Sequence, residues 1–507
     1  MRPARLHAAL LFALLVNAAS ILFFRYFITV DGPVHVLRAS LLEARWGSVR
    51  HIAQGITYGT AGISGLGDRV LMVLLLFCNP ERAHDLYAAF VSCAVMLSVV
   101  AFLRVQGTRV GLAGLWLALV PLHTVLLMGL FHFLLGVAIA LASAAWWKWR
   151  EGHTVRRWAG LLLGAVLAWY THRSAAVILC LLLVPGCLVH ACDQGGLFNR
   201  IGVRKRPWLP WLLFGIAFTA AWRWWPVLPS NVHHTVSFAP MVGEANPLQP
   251  LFVLDPSEER WFQGGIGILL LFAFIAGTTA RWKMGRKWLW HDVLFVGLFL
   301  FALLASIHRV LGAPELHIAE RCRWFVLLFL AAWLVAIADA RGRWTARLIG
   351  GAAVCALPLH LIRLVRTESA LARLRPVHVA AMEAADTLGE GSLVWPVVTD
   401  RDPLLQHLEA FVAIRHKGIL IAPAEHLSLV LPNELRRHAG WLYTEDPAWL
   451  VRHWRKGIPP EVDQVLFMGK DLERAVSKPP WPALLTERFR PSYGNAYARI
   501  YTAIGKK

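Results

Sequence analysis

The sequence predicts a polytopic α-helical membrane protein with about eleven transmembrane helices, a long first outer loop and a small C-terminal α/β domain. Of its 507 residues, 57% are hydrophobic and only 16% are charged, whereas about 25% is typical of globular proteins. The apolar residues form runs near the length of about 20 residues that a spanning helix needs. The formal charge of +20 is divided among short clusters between these runs. These features exclude a soluble enzyme, a disordered chain and a nucleic-acid-binding surface.

The predicted spans follow from the apolar runs. They lie near residues 7–28, 84–103, 110–126, 127–147, 158–171, 174–191, 209–225, 263–280, 288–307, 323–339 and 348–365. The first run could instead be a cleaved signal peptide, but its apolar character resumes at Ile21 and continues to Val30, which favours a span.

Basic residues predict the orientation. With a cytoplasmic N-terminus, Lys and Arg concentrate in the inner segments, for example Lys148, Arg150, Arg156 and Arg157, and are sparser in the outer loops. Because Lys and Arg resist translocation, residues 29–83 form the first outer loop and everything after residue 365 lies outside the plasma membrane. The short apolar run Val70–Phe77 is then an interfacial or re-entrant helix in that loop. We therefore predict a transmembrane domain over 1–365 and an outer (periplasmic) domain over 366–507.

The C-terminal segment changes in pattern, because its charge rises and its apolar runs shorten to strand length. Candidate strands are Ser392–Val398, Gly418–Ala422, Asp463–Met468 and Ala496–Thr502, with helices at Val377–Leu388 and Leu404–Arg415 between them. This alternation indicates a small α/β domain. Its Asp400-Arg401-Asp402 resembles an Asp-x-Asp metal site, but the following Pro403 favours a solvated loop.

Polar residues gather at the predicted outer ends of several spans. They are Asp31 and His35 after the first span, Arg82 in the first loop, His132, the pair His172 and Arg173, and the group Glu320, Arg321 and Arg323. Converging from separate helices, they could line one outward cavity, or they could be interfacial anchors. Asp31 differs from the basic residues because acidic groups anchor poorly; Gly32-Pro33 either fixes it at a helix end beside a site or makes it a turn cap. If a helix starts at Pro33, His35 lies one turn from Asp31.

Four segments carry a resemblance to a known group. They are Asp31-Gly32-Pro33-Val34-His35, Gly129-Leu130-Phe131-His132-Phe133-Leu134-Leu135-Gly136, the hairpin around His172, and Glu320-Arg321-Cys322-Arg323-Trp324-Phe325. With the layout of spans and tail, they resemble the GT-C superfamily of integral membrane glycosyltransferases, in an uncharacterised bacterial branch related to protein O-mannosyltransferases and aminoarabinose transferases. That group often has two acidic residues in the first motif, where this chain has Asp31 alone.

The resemblance implies transfer of a sugar from a polyprenyl-phosphate-linked donor to an acceptor at the outer face, by an inverting mechanism. Asp31 is the expected general base, and a single carboxylate suffices because phosphate leaves as an anion without a proton. Arg82, Arg321 and Arg323 are candidates for binding the phosphate, with His172 and Arg173 behind them, and Glu320 would orient Arg321 or an acceptor hydroxyl. His35 and His132 complete the expected substrate site.

The expected partners are the lipid-linked donor, membrane lipid and an acceptor that is a glycan, a lipid or a protein, without nucleic acid. No cofactor is required by this chemistry, and a divalent metal ion is left open. Two other functions are open as well. A transporter or flippase of envelope precursors would have helices broken by features such as Pro358, and a non-catalytic scaffold would use only the outer domain.

Overall fold

The structure is a computed structural model of the whole chain. It describes residues 8–23, 26–46, 57–58, 65–150, 153–176, 178–180, 256–284, 290–307, 318–389, 392–400, 402–405, 407–416, 419–420, 429–430, 462–479 and 481–505. The predicted span 209–225 and most of the predicted span 174–191 lie outside the described residues.

Helices dominate the described residues. In chain order they are α1 (Ala8–Phe23), α2 (Gly32–Trp46), α3 (Leu66–Leu75), α4 (Pro80–Val105), α5 (Thr124–Leu127), α6 (Phe131–Trp149), α7 (Thr154–Thr171), α8 (Pro256–Trp282), α9 (His291–Ile307), α10 (Ile318–Arg341), α11 (Arg343–Ala372), α12 (Arg375–Ala385), α13 (Leu408–His416), α14 (Leu472–Ser477) and α15 (Trp481–Arg488), with 3₁₀ helices at Leu112–Leu119 and Pro403–Leu405. The strands are β1 (Thr57–Tyr58), β2 (Leu393–Val398), β3 (Ile419–Leu420), β4 (Leu429–Val430), β5 (Gln464–Met468), β6 (Phe489–Gly494) and β7 (Ala498–Ala503).

The chain forms two compact units. The first comprises Met1–Ser20, Ala89–Leu126 and His132–Thr367, and the second comprises Ile21–Ala88, Leu127–Phe131 and Glu368–Lys507. The second unit therefore combines the C-terminal segment with residues of the predicted first outer loop.

Several helices have the length and composition of membrane spans. Among the described residues these are Pro80–Val105, Phe131–Trp149, Gly264–Trp282, Ala319–Ala340 and the run Arg343–Ala385, which comprises α11 and α12. They coincide with the spans predicted at 84–103, 127–147, 263–280, 323–339 and 348–365. The chain is therefore a mostly helical, multi-pass membrane protein. The shorter helices α1, α7 and α9 coincide with three more of the predicted spans.

The segment predicted as a span at 110–126 is not one α-helix. It forms the 3₁₀ helix Leu112–Leu119, a bend and then the single turn of α5. Pro121 lies in the bend, and a proline inside an α-helix removes a hydrogen bond and clashes with the preceding turn. Apolar composition identified the segment but does not distinguish the two helix types. By contrast, α11 continues through Pro358 without a break.

Polar side chains tie elements of the first unit together. Asn17 on α1 donates from Nδ2 to the Ala118 carbonyl at 3.1 Å and accepts from His360 Nε2 on α11, also at 3.1 Å. One turn further along α11, Arg363 donates from Nη2 to the Leu122 carbonyl at 2.6 Å. All three side chains are buried. Each of the three side chains thus makes at least one hydrogen bond, as is usual for buried polar residues.

The C-terminal segment of the second unit is built around a five-stranded sheet. Its strand order is β3-β2-β5-β7-β6; β2 pairs in parallel with β3 and β5, and β7 pairs antiparallel with β5 and β6. One face of the sheet packs on α14 and α15 through Trp395, Phe467, Trp481 and Leu485, which are all buried. This apolar core confirms a small C-terminal sheet with helices packed on it, and its separation as a domain over 366–507 stays a prediction.

The predicted strands at 392–398, 463–468 and 496–502 are confirmed as β2, β5 and β7, and 418–422 contains the short β3. The predicted helix 377–388 is α12, whereas 404–415 divides into the 3₁₀ helix and α13. The sequence analysis missed β6 because Pro491 interrupts its apolar alternation. That strand lies at the sheet edge and has an irregular register after Pro491, which is where a proline is tolerated in a sheet.

The predicted first outer loop contains two helices of the second unit, α2 and α3. The apolar run Val70–Phe77 forms most of α3 and its C-terminal turn, and α3 packs against α2. Asp68 and Leu71 on α3 are buried, whereas Phe77 is exposed. This one-sided exposure fits the interfacial helix that we predicted, and its position at a membrane surface stays a prediction.

Candidate functional site

The backbone of Asp31 is held by the loop that precedes α6. Val30 N–H donates to the Leu127 carbonyl at 2.9 Å, and Asp31 N–H donates to the Met128 carbonyl at 3.0 Å. Gly129 follows with a φ of +77°, and a Cβ there would overlap the amide nitrogen of Gly32. Only glycine permits both this backbone conformation and this close approach.

Buried polar groups of α4 hold the residues that precede Asp31 in the chain. Thr29 Oγ1 lies 2.9 Å from His84 Nε2, and Asp85 Oδ1 lies 3.2 Å from His84 Nδ1 and accepts the Phe27 N–H at 3.0 Å. A Cβ on Gly32 would overlap Thr29 Oγ1 and the His84 ring. The glycine of the Asp31-Gly32-Pro33 motif is therefore required by packing against this network. Pro33 follows it in the first turn of α2, where a proline fits because that turn needs no N–H donor.

The Asp31 carboxylate faces a histidine from the C-terminal segment. His407 Nε2 lies 3.6 Å from Asp31 Oδ1, and His407 Nδ1 lies 3.3 Å from Glu409 Oε1. The side chains of His407 and Glu409 are 5% and 9% exposed, whereas that of Asp31 is 33% exposed. Burial disfavours a charged imidazole, but the hydrogen bond to Glu409 and the charges of Glu409 and Asp31 outweigh it and raise the pKa of His407.

His35 is directed to a different acid. Its N–H donates to the Asp31 carbonyl at 3.2 Å as the first turn of α2 closes. Its ring Nδ1, however, lies 3.9 Å from Asp68 Oδ1, and Arg38 Nε lies 4.0 Å from Asp68 Oδ2. Asp68 is buried, and the charge of the Arg38 guanidinium beside it compensates that of its carboxylate. Asp31 and His35 are thus adjacent along the helix, as predicted, but their side chains contact different partners.

Arg82 lines a cavity of about 1090 Å³ within the second unit. The cavity wall combines acidic, basic and aromatic groups, including Tyr26, Glu81, Arg375, His378 and Arg415. Arg82 is held by its Nη1 donating to the Leu22 carbonyl at 2.7 Å and by its backbone N–H donating to Asn79 Oδ1 at 2.8 Å. Asp31 is not among the residues that line this cavity.

In the first unit, His132, His172 and Arg321 form a second group of predicted residues. The Arg321 guanidinium carbon lies 5.0 Å from the centroid of Phe133, whose ring meets that of His172 edge-on at 5.6 Å. Burial, then the charge of Arg321 and the nearby His132, lower the pKa of His172 to about 3. His172 is therefore neutral at physiological pH, and its Nδ1 lies 2.6 Å from Ser174 Oγ.

The other predicted residues of the first unit lie at or next to helix ends. Glu320 is in the first turn of α10, where the helix dipole favours an acidic group. Arg323 lies one turn further and is buried. Arg173 follows α7, with its guanidinium carbon 5.8 Å from the Trp169 ring centroid. Gly136 permits a close approach to this region, because a Cβ there would lie 2.6 Å from Ala175 Cβ.

The sequence analysis missed the partners of Asp31. His407 and Glu409 carry no motif, and they lie far from Asp31 along the chain, so only the fold reveals them. The nearest residues with a recognisable sequence pattern are Asp400 and Asp402, which lie in the turn before α13. Asp400 Oδ1 accepts from the Asp402 N–H, and Asp402 Oδ1 accepts from the Leu404 N–H, both at 3.0 Å. These bonds are typical of turn-capping carboxylates.

No protein-family model and no curated protein matches the chain. Among solved structures, it is similar to crystal structures of ArnT from Cupriavidus metallidurans in the apo state and bound to undecaprenyl phosphate. Both have 14% sequence identity and a TM-score of 0.41. The alignments cover 97% of this chain and 96% of the apo protein, and 98% of each chain for the bound form. A TM-score below 0.5 does not establish a shared fold.

Proposed function

We propose that the protein is a glycosyltransferase that moves a sugar from a polyprenyl-phosphate-linked donor to an acceptor at the outer face of the membrane. The observation that carries this proposal is the setting of Asp31. Its carboxylate is partly exposed, its backbone is fixed on both sides, and a buried His407–Glu409 pair lies against it. A fixed and accessible carboxylate is what a general base requires.

The chemistry assigned to Asp31 is one proton transfer. The acceptor hydroxyl gives its proton to the Asp31 carboxylate while its oxygen forms a bond to the anomeric carbon of the sugar. The bond from that carbon to the phosphate oxygen breaks, and its electron pair leaves with the lipid phosphate. Attack opposite the leaving group inverts the anomeric centre. Because the phosphate leaves as an anion, no second carboxylate is needed to protonate it.

Cationic side chains would stabilise the charge that develops on the phosphate. Arg82 is the candidate in the second unit, where its guanidinium lines the cavity. Arg321 and Arg323 are the candidates in the first unit, and Glu320, which precedes Arg321 on α10, is assigned to orienting it. A guanidinium suits this role because it binds phosphate through two parallel hydrogen bonds. His35 of the second unit, and His132, His172 and Arg173 of the first unit, stay predicted substrate-binding residues.

The test is transfer of a radiolabelled sugar from synthetic polyprenyl-phosphate sugars to a cell-envelope extract, using membranes that contain equal amounts of each variant. We expect Asp31→Asn to lower the transfer rate by about 100-fold to 10,000-fold, which is the usual contribution of a general base. The matched control is Asp471→Asn, an exposed acid of the second unit, which should transfer at the wild-type rate. Near wild-type transfer by Asp31→Asn would remove the assignment of the base.

A further inference from the structure

His407 connects the C-terminal segment to the carboxylate of Asp31. The residue precedes α13, and its carbonyl accepts the Ala410 N–H at 3.1 Å as the helix begins. This places the imidazole at the N-terminus of α13, where its Nε2 lies 3.6 Å from Asp31 Oδ1. At 5% exposure the ring is enclosed by protein. Its orientation is therefore determined by the fold.

Glu409 determines which edge of the ring faces Asp31. The hydrogen bond of 3.3 Å between His407 Nδ1 and Glu409 Oε1 occupies one ring nitrogen, which leaves Nε2 directed toward Asp31. Because Glu409 is itself buried, its charge needs a cationic neighbour. The arrangement of two carboxylates around one imidazole favours the protonated ring, which then presents an N–H to each acid.

Several titratable groups on the elements packed against α13 contact other acids. On α2, His35 and Arg38 lie against Asp68, and on α12, His378 Nε2 lies 3.8 Å from Glu81 Oε1. The strands β2 and β3 contain no titratable side chain. His407 itself contacts two carboxylates, those of Asp31 and Glu409.

We propose that His407, held by Glu409, is a positioning residue that orients the Asp31 carboxylate for proton abstraction. This inference rests on the proposed function, and it assigns the C-terminal segment a part in catalysis. His407 exchanges no proton during the reaction. Its charge attracts the Asp31 carboxylate, and its fixed Nε2 restrains the rotation of that carboxylate. A misplacement of about 1 Å at a reacting group can lower the rate about 100-fold.

Kinetics of sugar transfer by His407→Gln in reconstituted vesicles test the proposal. Glutamine retains a hydrogen-bond donor but carries no charge. We expect kcat to fall by about 10-fold to 100-fold while the KM for the lipid-linked donor stays at the wild-type value, because orientation of the base affects the chemical step. Glu409→Gln should give a smaller fall in kcat. The control is His153→Gln, an exposed histidine before α7, which should leave both constants unchanged.

The pH profile separates positioning from a loss of structure. Since the pKa of His407 lies above its ordinary value of 6.5, wild-type kcat should decline as the pH rises through the raised value and the imidazolium is lost. His407→Gln should lack that decline, and His407→Lys should retain activity at alkaline pH. In the Asp31→Asn background, His407→Gln should cause no further fall, since the two residues act as one unit.

The outcomes distinguish this inference from the proposed function. If the wild-type protein transfers sugar and His407→Gln matches it in kcat and in pH profile, His407 has no positioning role. An equal loss by His407→Gln in the Asp31→Asn background would also overturn the inference, because it would indicate a structural effect independent of Asp31. If the wild-type protein transfers no sugar from any polyprenyl-phosphate donor, the proposed function fails and this inference fails with it.

Discussion

Asp31 is reachable from solvent although the groups that surround it are buried. A third of its side chain is exposed, whereas His407, Glu409, His84 and Asp85 are all nearly enclosed. The enclosed groups cost free energy to desolvate, and they are retained in pairs that compensate each other. The proposed role of Asp31 rests on this combination of a partly exposed carboxylate and buried polar neighbours.

Protonation of His407 predicts a pH dependence of stability. Because the pKa of His407 is raised in the folded protein, protonation stabilises the fold fully below the unfolded pKa of about 6.5, and this stabilisation is lost as the pH rises through the folded pKa. The unfolding temperature of the wild type in detergent should therefore exceed that of His407→Gln most at about pH 6. The difference should shrink toward about pH 9. A difference that grows with pH would contradict the raised pKa.

At the scale of elements, short connections place the site as much as the helices do. The loop Leu127–Phe131 accepts the N–H groups of Val30 and Asp31, and Gly129 brings the two backbones together. The sequence shows the motif around Gly129 but not the contacts that its glycines make. Its two glycines serve different contacts, because Gly129 meets the Asp31 turn and Gly136 meets Ala175.

Replacement of Gly129 by alanine should displace the Asp31 turn. The change forces a side chain into a backbone with positive φ and into contact with the Gly32 amide, so we expect a loss of about 1–3 kcal/mol of stability and a clear fall in sugar transfer. Gly107→Ala is the matched control, since Gly107 also has positive φ but a Cβ there meets open space. Thermal unfolding and transfer rates of the two variants should differ. Equal behaviour would show that the contact with Gly32 is unimportant.

The buried hydrogen bonds of α11 predict that two arginine substitutions on this helix differ in their effect on stability. Arg363→Met removes the donor to the Leu122 carbonyl, and an unsatisfied buried carbonyl costs about 1–3 kcal/mol. Arg366→Met on the same helix changes an exposed residue and should leave stability within about 0.5 kcal/mol. The measurement is the unfolding temperature of each purified variant in detergent. An unfolding temperature for Arg363→Met equal to that of Arg366→Met would contradict the structural role of the network.

For the whole molecule, the sequence predicted what depends on local pattern. Apolar length identified the long spans, such as Pro80–Val105, and short apolar runs of strand length identified β2 and β5. The sequence did not reveal the 3₁₀ helix at 112–119, because the hydropathy of a segment does not depend on its helix type. Arg363 was overlooked because one polar residue scarcely changes the mean hydropathy of a span. His407 was unpredictable, since its pairing with Asp31 arises from contacts distant in sequence.

The measurement that tests the central claim most directly is donor binding and donor turnover in one preparation of purified Asp31→Asn. If Asp31 is the general base, the variant should bind a polyprenyl-phosphate sugar with a Kd within about threefold of the wild-type value, because the base contacts the acceptor and not the donor. Its turnover should fall at least about 100-fold. Turnover near the wild-type rate, in protein that binds the donor and unfolds at the wild-type temperature, would contradict it.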